Sequence, residues 1–198
     1  MFTGIIEALG ILEKFAEEGS NKTFFIKSDI ASQMKIDESI CHNGVCLTVE
    51  DISNDIYRVT AIQETLDKTN VGAWKPGETI NLERSMKMNG RFDGHIVQGH
   101  IDCTATCISI KDADGSREFT FEFDKKFAGL VIEKGSISLN GISLTVFNLS
   151  INTFSVAIIP YTYEHTNMKY LETGMTVNIE FDIIGKYINR IHSLTSSY

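Results

Sequence analysis

Two short segments carry side chains that could do chemistry, and they carry them at matching places. In SICHNGVCLTV, residues 39–49, Cys46 and Thr48 fall on one side of an alternating stretch, with Val45, Leu47 and Val49 on the other. In SISLNGISLTV, residues 136–146, Ser143 and Thr145 take the same places opposite Ile142, Leu144 and Val146. A thiol or hydroxyl beside a second hydroxyl can orient a flat polar ligand on a pocket wall. The same pattern is also what any well-formed hairpin around an Asn-Gly turn would leave behind. Histidine adds proton chemistry: the unperturbed imidazole pKa of about 6.5 lets His100 act as general acid or base, while a lone His in a barrel also serves as a structural hydrogen-bonder. Free Cys is likewise often a small buried hydrophobe. The cysteines lie at Cys-x4-Cys (41, 46) and Cys-x3-Cys (103, 107), unlike the Cys-x2-Cys of common zinc pairs, and His95 and His100 miss the i, i+4 helical pair, so no metal site is expected.

The two segments are part of a larger repeat. Seven of their eleven positions are identical at an offset of ninety-seven residues. At that offset Thr65, Thr69 and Asn70 in ETLDKTN match Thr162, Thr166 and Asn167 in YTYEHTN, and Gly77, Asn81 and Glu83 match Gly174, Asn178 and Glu180. FTGIIE (2–7) pairs with VQGHID (97–102) at an offset of ninety-five, so one loop differs by two residues. The copies diverge where chemistry would sit, with Cys46 against Ser143 and Ile5 against His100.

The elements that must position these residues read as strands. REFTFEFD (117–124) sets Phe119, Phe121 and Phe123 on one face and Glu118, Thr120 and Glu122 on the other; IYRVTAI, TINLE and TVNIEFD alternate similarly. Turn pairs fall between them at Asn43-Gly44, Pro76-Gly77, Asp114-Gly115 and Asn140-Gly141. Short strands with regular punctuation predict an all-β chain of two tandem small antiparallel barrels, residues 1–90 and 91–185, followed by a segment over 186–198. In that last region Ile184, Tyr187, Ile188 and Ile191 recur at i, i+3, i+4 and i+7, the stripe of an amphipathic helix that must pack either on the barrels or on another copy.

Composition excludes several classes. The chain of 198 residues has 42% hydrophobic and 22% charged residues, enough to bury real cores. A formal net charge of -8 with no basic cluster argues against nucleic acid, and no apolar run approaches the roughly 20 residues needed to cross a bilayer. With no Lys or Arg before Glu7 and no small-residue cleavage site, a cytoplasmic protein with free thiols is expected.

MFTGIIE, NGVCLTV, ETLxxTN, GHIVQGHID, NGISLTV and VNIEFDIIGKY, in this order over residues 1 to about 188, closely resemble riboflavin synthase of the alpha-chain type, a family of duplicated lumazine-binding barrels. The resemblance implies six-stranded Greek-key barrels with a C-terminal helix and assembly as a homotrimer through those helices. It implies a transferase: dismutation of two 6,7-dimethyl-8-ribityllumazine molecules to riboflavin and 5-amino-6-(D-ribitylamino)uracil, with no cofactor and no metal. Lumazine synthase, which makes the substrate, is the further partner it suggests. In the family the reacting pair forms between the first barrel of one subunit and the second barrel of a neighbour, so the chain repeats itself because the reaction needs its substrate twice.

Carried over by position, the resemblance implies proton-handling or polar roles for Cys46, Ser39 and His100 at the first site and for Asp182 at the second, with Phe2 against a bound ring. First-site contacts are then Cys46, Leu47 and Thr48, the run Thr60, Ala61, Ile62, Gln63, Glu64 and Thr65, and Gly99, His100 and Ile101. The remaining contacts are Gly4, Ile5 and Ile6; Lys134; Ser143, Leu144 and Thr145; and Ile158, Ile159, Pro160, Tyr161, Thr162 and Tyr163. Water, Ser39 and Cys46 all stay open as the nucleophile. Family members often carry Asp in a DGxSLTV pattern where this chain has Asn140; an amide cannot serve as a base, and a modest effect is expected. The alternative is a non-catalytic antenna protein of the lumazine and yellow fluorescent type, which binds in one barrel and typically loses the second copy's motifs; here those motifs stand intact. A general flavin-storage protein has no distinguishing feature in this sequence.

Overall fold

Alternation in the sequence becomes alternation of burial. The computed structural model describes residues 1–195, and residues 196–198 of the expected tail lie outside the described part. The first copy supplies β1 (Ala8–Glu18), β2 (Asn21–Lys27), β3 (Ser39–His42), β4 (Val45–Ser53), β5 (Ile56–Ala61) and β6 (Thr79–Arg84), which close in the order β1-β2-β5-β4-β3-β6. The second supplies β7 (Cys103–Asp112), β8 (Arg117–Phe123), β9 (Ser136–Leu139), β10 (Ile142–Thr145), β11 (Thr153–Ile158) and β12 (Thr176–Phe181), all antiparallel, in the order β10-β9-β12-β7-β8-β11.

The second copy joins the ends of its six-stranded sheet less fully than the first. β4 runs on past Val49 to pair with β5, whereas β10 stops at Thr145 and only the single bridge Phe147–Ser155 continues it. Asn148 takes a φ of +49° two residues after Val146, a left-handed conformation that a strand cannot accommodate.

Each copy has its own core. Leu12, Phe24, Ile40, Tyr57 and Leu82 fill the first, with the Trp74 indole edge-on to Phe24. Phe119, Phe121, Phe123, Phe154 and Phe181 fill the second as a chain of aromatic contacts. Burying one such side chain contributes about 1.5–3 kcal/mol.

The segments containing ETLDKTN and YTYEHTN, read as parts of an all-strand repeat, form the short helices α1 (Gln63–Lys68) and α2 (Pro160–His165). The repeated Thr-x3-Thr-Asn is explained by how they end. The Thr69 hydroxyl donates to the Thr65 carbonyl at 2.6 Å and accepts from the Val71 N–H at 3.2 Å; Thr166 does the same with Thr162 and Met168, at 2.7 and 3.3 Å. One hydroxyl thus ends the helix and starts the following 3-10 turn.

Six asparagines join the barrels. Asn43 and Asn140, both at positive φ in their hairpin turns, accept on Oδ1 from the N–H of Asn81 and Asn178, at 2.7 and 2.9 Å. Asn81 Nδ2 donates across the joint to the Asn140 carbonyl at 3.0 Å, and Asn178 Nδ2 to the Asn43 carbonyl at 2.9 Å. The N–H groups of Asn167 and Asn70 donate to Asn81 Oδ1 and Asn178 Oδ1, at 2.7 and 2.8 Å. The joint therefore has the approximate two-fold symmetry of the duplication.

The last element, α3 (Ile183–Thr195), begins on Asp182, whose Oδ1 accepts from the Ile184 N–H at 3.0 Å. Its stripe is turned outward: Ile184, Tyr187, Ile188, Ile191 and Leu194 are each 50–67% exposed. No described helix is long and apolar enough to cross a membrane.

Candidate functional site

The hairpins do what the Asn-Gly pairs demand. In both copies a two-residue turn with φ positive at both positions (Asn43 and Gly44, Asn140 and Gly141) joins directly paired strands. The ladder places Cys46 opposite Cys41 and Thr48 opposite Ser39, so these four share a face; in the second copy Ser143 lies opposite Ser138 and Thr145 opposite Ser136. Within each face the inner pair is shielded and the outer pair reaches solvent: Cys41 and Ser138 are buried, while Thr48 and Thr145 are exposed.

What completes each face comes from the other end of the repeat. Cys46 N–H donates to the Gly99 carbonyl at 2.9 Å, and Ser143 N–H to the Gly4 carbonyl at 2.8 Å. The segment leading into the second barrel therefore lies on the first barrel's hairpin, and the segment leading into the first lies on the second's. Both glycines have φ near +80°, and a Cβ would sit 2.5 Å from that of Cys46 at Gly99 and 2.6 Å from that of Ser143 at Gly4. No other residue fits. The crossing point is a pair of hydrogen bonds between Phe2 and Val97, at 2.7 and 3.1 Å.

A buried carboxylate clamps each leading segment to its own barrel. Glu83 accepts from Thr3 N–H (2.6 Å), Thr3 Oγ1 (3.0 Å) and Gly4 N–H (3.0 Å). Glu180 accepts from the N–H groups of Gln98, Gly99 and His100 at 2.7, 2.8 and 2.9 Å. Burial pushes both carboxyl groups above the usual range, against the pull of those donors.

The expected first-site residues gather around this arrangement. Half-buried Ser39 and Cys46, exposed Thr48 and exposed His100 belong to the face or to the segment laid on it, with Ile101 packed against the first core. Thr60, Ile62, Gln63, Glu64 and Thr65 follow at the end of β5 and the start of α1, while Ala61 and Leu47 are core side chains. Glu64 is engaged by Lys68 at 2.6 Å. On the second side, exposed Ile5 and half-buried Ile6 lead from Gly4 past Ser143, Leu144 and Thr145. Lys134, at a φ of +63°, is tied to the hairpin strand by its N–H to the Val146 carbonyl, 2.9 Å. Ile158, Pro160 and Tyr163 line a pocket of about 210 Å³ with Arg117 and Glu164, beside Ile159, Tyr161 and Thr162. Arg117 already donates to the Tyr163 hydroxyl at 2.6 Å.

The Phe2 ring has no exposed surface: it is buried with Cys41 and Val97 against Cys46, a wedge behind the site. Two placements differ from what the sequence suggested. Asn140 faces Asn178 in the interbarrel joint, because its left-handed turn directs Oδ1 back to that N–H. Asp182 caps α3. A groove of about 780 Å³ between the barrels, lined by Asn43, Asn140, Trp74, Tyr170 and Met175 among others, contains none of the expected site residues. The Oδ1 atoms of both turn asparagines are already committed to the joint.

Sequence reasoning missed Glu83, Glu180 and His95 as functional residues. The glutamates carried a signal in their repetition at an offset of ninety-seven. His95 carried a weaker one, the tandem Gly-His-Ile at 94–96 and 99–101. It is buried, and its Nδ1 lies 2.7 Å from Ser143 Oγ. Burial holds its imidazole below the usual range, opposed by the charge of Asp182.

Comparison with known proteins agrees with this construction. The family described as "Lumazine binding domain" matches twice, at residues 3–85 and 98–182. The riboflavin synthase of Actinobacillus pleuropneumoniae is 40% identical over 191 residues, covering 96% of this chain and 89% of that protein. That of Bacillus subtilis is 38% identical with the same coverage, and that of Saccharomyces cerevisiae 35% identical over 208 residues, covering 98% and 87%. Among solved structures, LumP complexed with 6,7-dimethyl-8-(1'-D-ribityl) lumazine superposes with a TM-score of 0.83 at 23% identity, over 91% of this chain and 99% of that one, which speaks to fold alone. LumP complexed with riboflavin gives 0.85 at the same identity and coverage. With two lumazine-binding domains end to end and near-full-length likeness to riboflavin synthases from bacteria and yeast, the chain belongs to the riboflavin synthase family.

Proposed function

We propose that the protein catalyses the riboflavin synthase reaction: a four-carbon unit passes from one 6,7-dimethyl-8-ribityllumazine to a second, giving riboflavin and 5-amino-6-(D-ribitylamino)uracil. The observation that supports this most directly is the presence, in one chain, of two hairpin faces each completed by the leading segment of the opposite copy. A transfer between identical molecules needs two sockets of one kind.

Holding two flat heterocycles face to face is the largest task, since effective molarity accounts for up to about 7–11 kcal/mol of barrier in well-oriented pairs. The second task is proton transfer. The ring methyl is acidic because its carbanion delocalises into the heterocycle, so a modest base suffices, and exposed His100 beside the Cys46 face is our candidate. Ser39, Cys46 or water supplies the nucleophile that makes the other ring an acceptor. Thr48, Glu64 and Thr65 at the first site and Lys134, Thr145 and Thr162 at the second hold the polar edges of the ligands.

The first barrel of one subunit meets the second barrel of its neighbour in this reading. The outward stripe of α3, from Ile184 to Leu194, is the surface through which three copies associate. We place the trimer in the cytoplasm.

The test mixes the purified protein with 6,7-dimethyl-8-ribityllumazine alone, without added cofactor or metal, and follows absorbance and chromatography. Riboflavin appearing at half the rate of lumazine loss supports the reading. Tight binding without riboflavin overturns it in favour of a binding protein.

A further inference from the structure

The chain holds two Gly-His-Ile units, 94–96 and 99–101, and the fold gives one to each hairpin. Gly99 lies on Cys46, with His100 exposed beyond it. Gly94 lies on Ser143: a Cβ there would fall 2.9 Å from that of Ser143 and 2.0 Å from the Thr3 carbonyl oxygen, so only glycine lets the segment come this close. The close approach brings His95 Nδ1 to 2.7 Å from Ser143 Oγ. Cys46 Sγ makes no hydrogen bond to a histidine among the described residues. The two sites therefore differ in more than thiol against hydroxyl.

The remaining atoms fix which group donates. His95 is buried, and its Nε2 has no hydrogen-bond partner among the described residues. A neutral imidazole carries one N–H. On Nε2 that proton would be a buried donor with no acceptor, which folded proteins almost never tolerate; on Nδ1 it reaches Ser143 and leaves only an unfilled lone pair behind. The Nδ1–H then donates to Ser143 Oγ, and the serine's own proton is free to point elsewhere. Ser143 is half-buried and shares its face with exposed Thr145, the face turned to the site.

We propose that His95 is a positioning residue for the second-barrel site: by donating to Ser143 Oγ it fills one of that oxygen's two lone pairs and directs the hydroxyl's own proton to a carbonyl oxygen or imine nitrogen of the heterocycle bound there. This rests on the reading given above that each barrel binds one lumazine. A donor at such a ring atom stabilises the anion left when the ring methyl loses its proton, and the Cys46 thiol, a weak donor, does not do the same at the first site. The duplication thus holds two identical molecules in electronically different surroundings, so that one is easier to deprotonate than its partner.

The test uses the full-length protein with 6,7-dimethyl-8-ribityllumazine and compares the wild type with His95→Asn, whose amide can place an N–H where Nδ1–H stood, and His95→Gln, whose amide falls nearer Nε2. His95→Gln should lower kcat by about ten- to a hundred-fold with KM within about threefold, and His95→Asn should recover most of that loss. Rapid-mixing absorbance, read before turnover, reports the pH at which bound lumazine forms its anion; in His95→Gln one of two titration steps should move up by about one unit, the other staying put. Adding Ser143→Ala to His95→Gln should cost little more than either change alone. Equal losses in the Asn and Gln variants, an unmoved titration, or a fully additive double variant would each overturn the proposal. Absence of riboflavin from the wild type would instead sink the underlying reaction, so the two failures are told apart.

Discussion

The two barrels share the turns, helix ends and clamps that hold their leading segments, and differ in the side chains set on the site face. Both use an Asn-Gly turn, a Thr that ends a short helix, and a buried Glu that clamps the leading segment. At the site face, however, Cys41 and Cys46 in the first become Ser138 and Ser143 in the second. Inside, His42 and Tyr57, joined by a 2.8 Å hydrogen bond, become Leu139 and Phe154. The first sheet closes through a full β4–β5 ladder and the second through one bridge. Duplication kept the frame, which tolerates few alternatives, and let chemistry diverge on it. The contrast matters because a dismutation requires two sites that bind alike and act unalike.

Gly99→Ala and Gly4→Ala break that shared frame one barrel at a time. Each Cβ would enter the space of the facing Cys46 or Ser143 backbone as well as its side chain, and each residue sits at positive φ, so the leading segment must lift away. A displacement of about 1 Å at a reacting centre costs on the order of a hundredfold, and turnover should fall at least that far in both variants. Ligand titration should find one of two sites lost in each. A variant retaining both sites and more than a tenth of the wild-type rate would refute the role given to the crossover.

How much of this was legible follows from range. The hairpins, the phenylalanine face of β8 and the stripe of α3 are local patterns of period 2 or 3.6, and the sequence displays them openly. Helices α1 and α2 span only six residues each, too short for a helical period to show beside strand-like neighbours. The crossing of leading segments, the asparagine joint and the His95–Ser143 contact link residues about forty to over one hundred apart, and no local pattern encodes them. Repetition marked Glu83, Glu180 and the asparagines as important without telling why. Phe2 meets the same limit: an aromatic near a site can pack behind it or line it, and only the three-dimensional crossing decides.

The unequal cores predict unequal sensitivity to acid. His42 Nδ1–H must donate to the Ile40 carbonyl at 3.0 Å, so Nε2 accepts from the Tyr57 hydroxyl, and burial lowers the imidazole pKa to about 4. The folded pKa lies below the unfolded value of about 6.5; this contribution is therefore fully present above pH 6.5 and is lost as pH falls from there to about 4, amounting to at most about 3 kcal/mol. The second barrel, with Leu139 and Phe154, has no such group in this place. Denaturant melts between pH 7 and 4, followed through Trp74 in the first barrel, should show the loss, and His42→Leu with Tyr57→Phe should flatten the slope. An unchanged slope would remove His42 as its source.

Smaller effects separate the two clamps. Glu180→Gln exchanges one acceptor oxygen for an amide that faces N–H donors, so the segment bearing His100 loosens on the first barrel; Glu83→Gln does the same to the segment on the second. A cost of about 1–3 kcal/mol corresponds to roughly five- to a hundred-fold weaker riboflavin binding at one site per variant. The sites should respond separately: a calorimetric titration in which either change weakens both equally would mean that the leading segments act as one body.

The smallest change tests the joint itself. Asn140 uses its side chain as an acceptor, taking the Asn178 N–H on Oδ1, and no hydrogen bond from its Nδ2 appears among the described residues. A carboxylate can fill that acceptor position, so Asn140→Asp should alter turnover by less than about threefold. Asn178→Asp is the contrasting change one hydrogen bond away. Its Nδ2 donates to the Asn43 carbonyl at 2.9 Å, and a carboxylate there would face a buried carbonyl oxygen instead, at a cost of about 1–3 kcal/mol. If Asn140→Asp instead raises turnover by orders of magnitude, the residue serves the reacting ring directly and the joint must open during the cycle to let it do so.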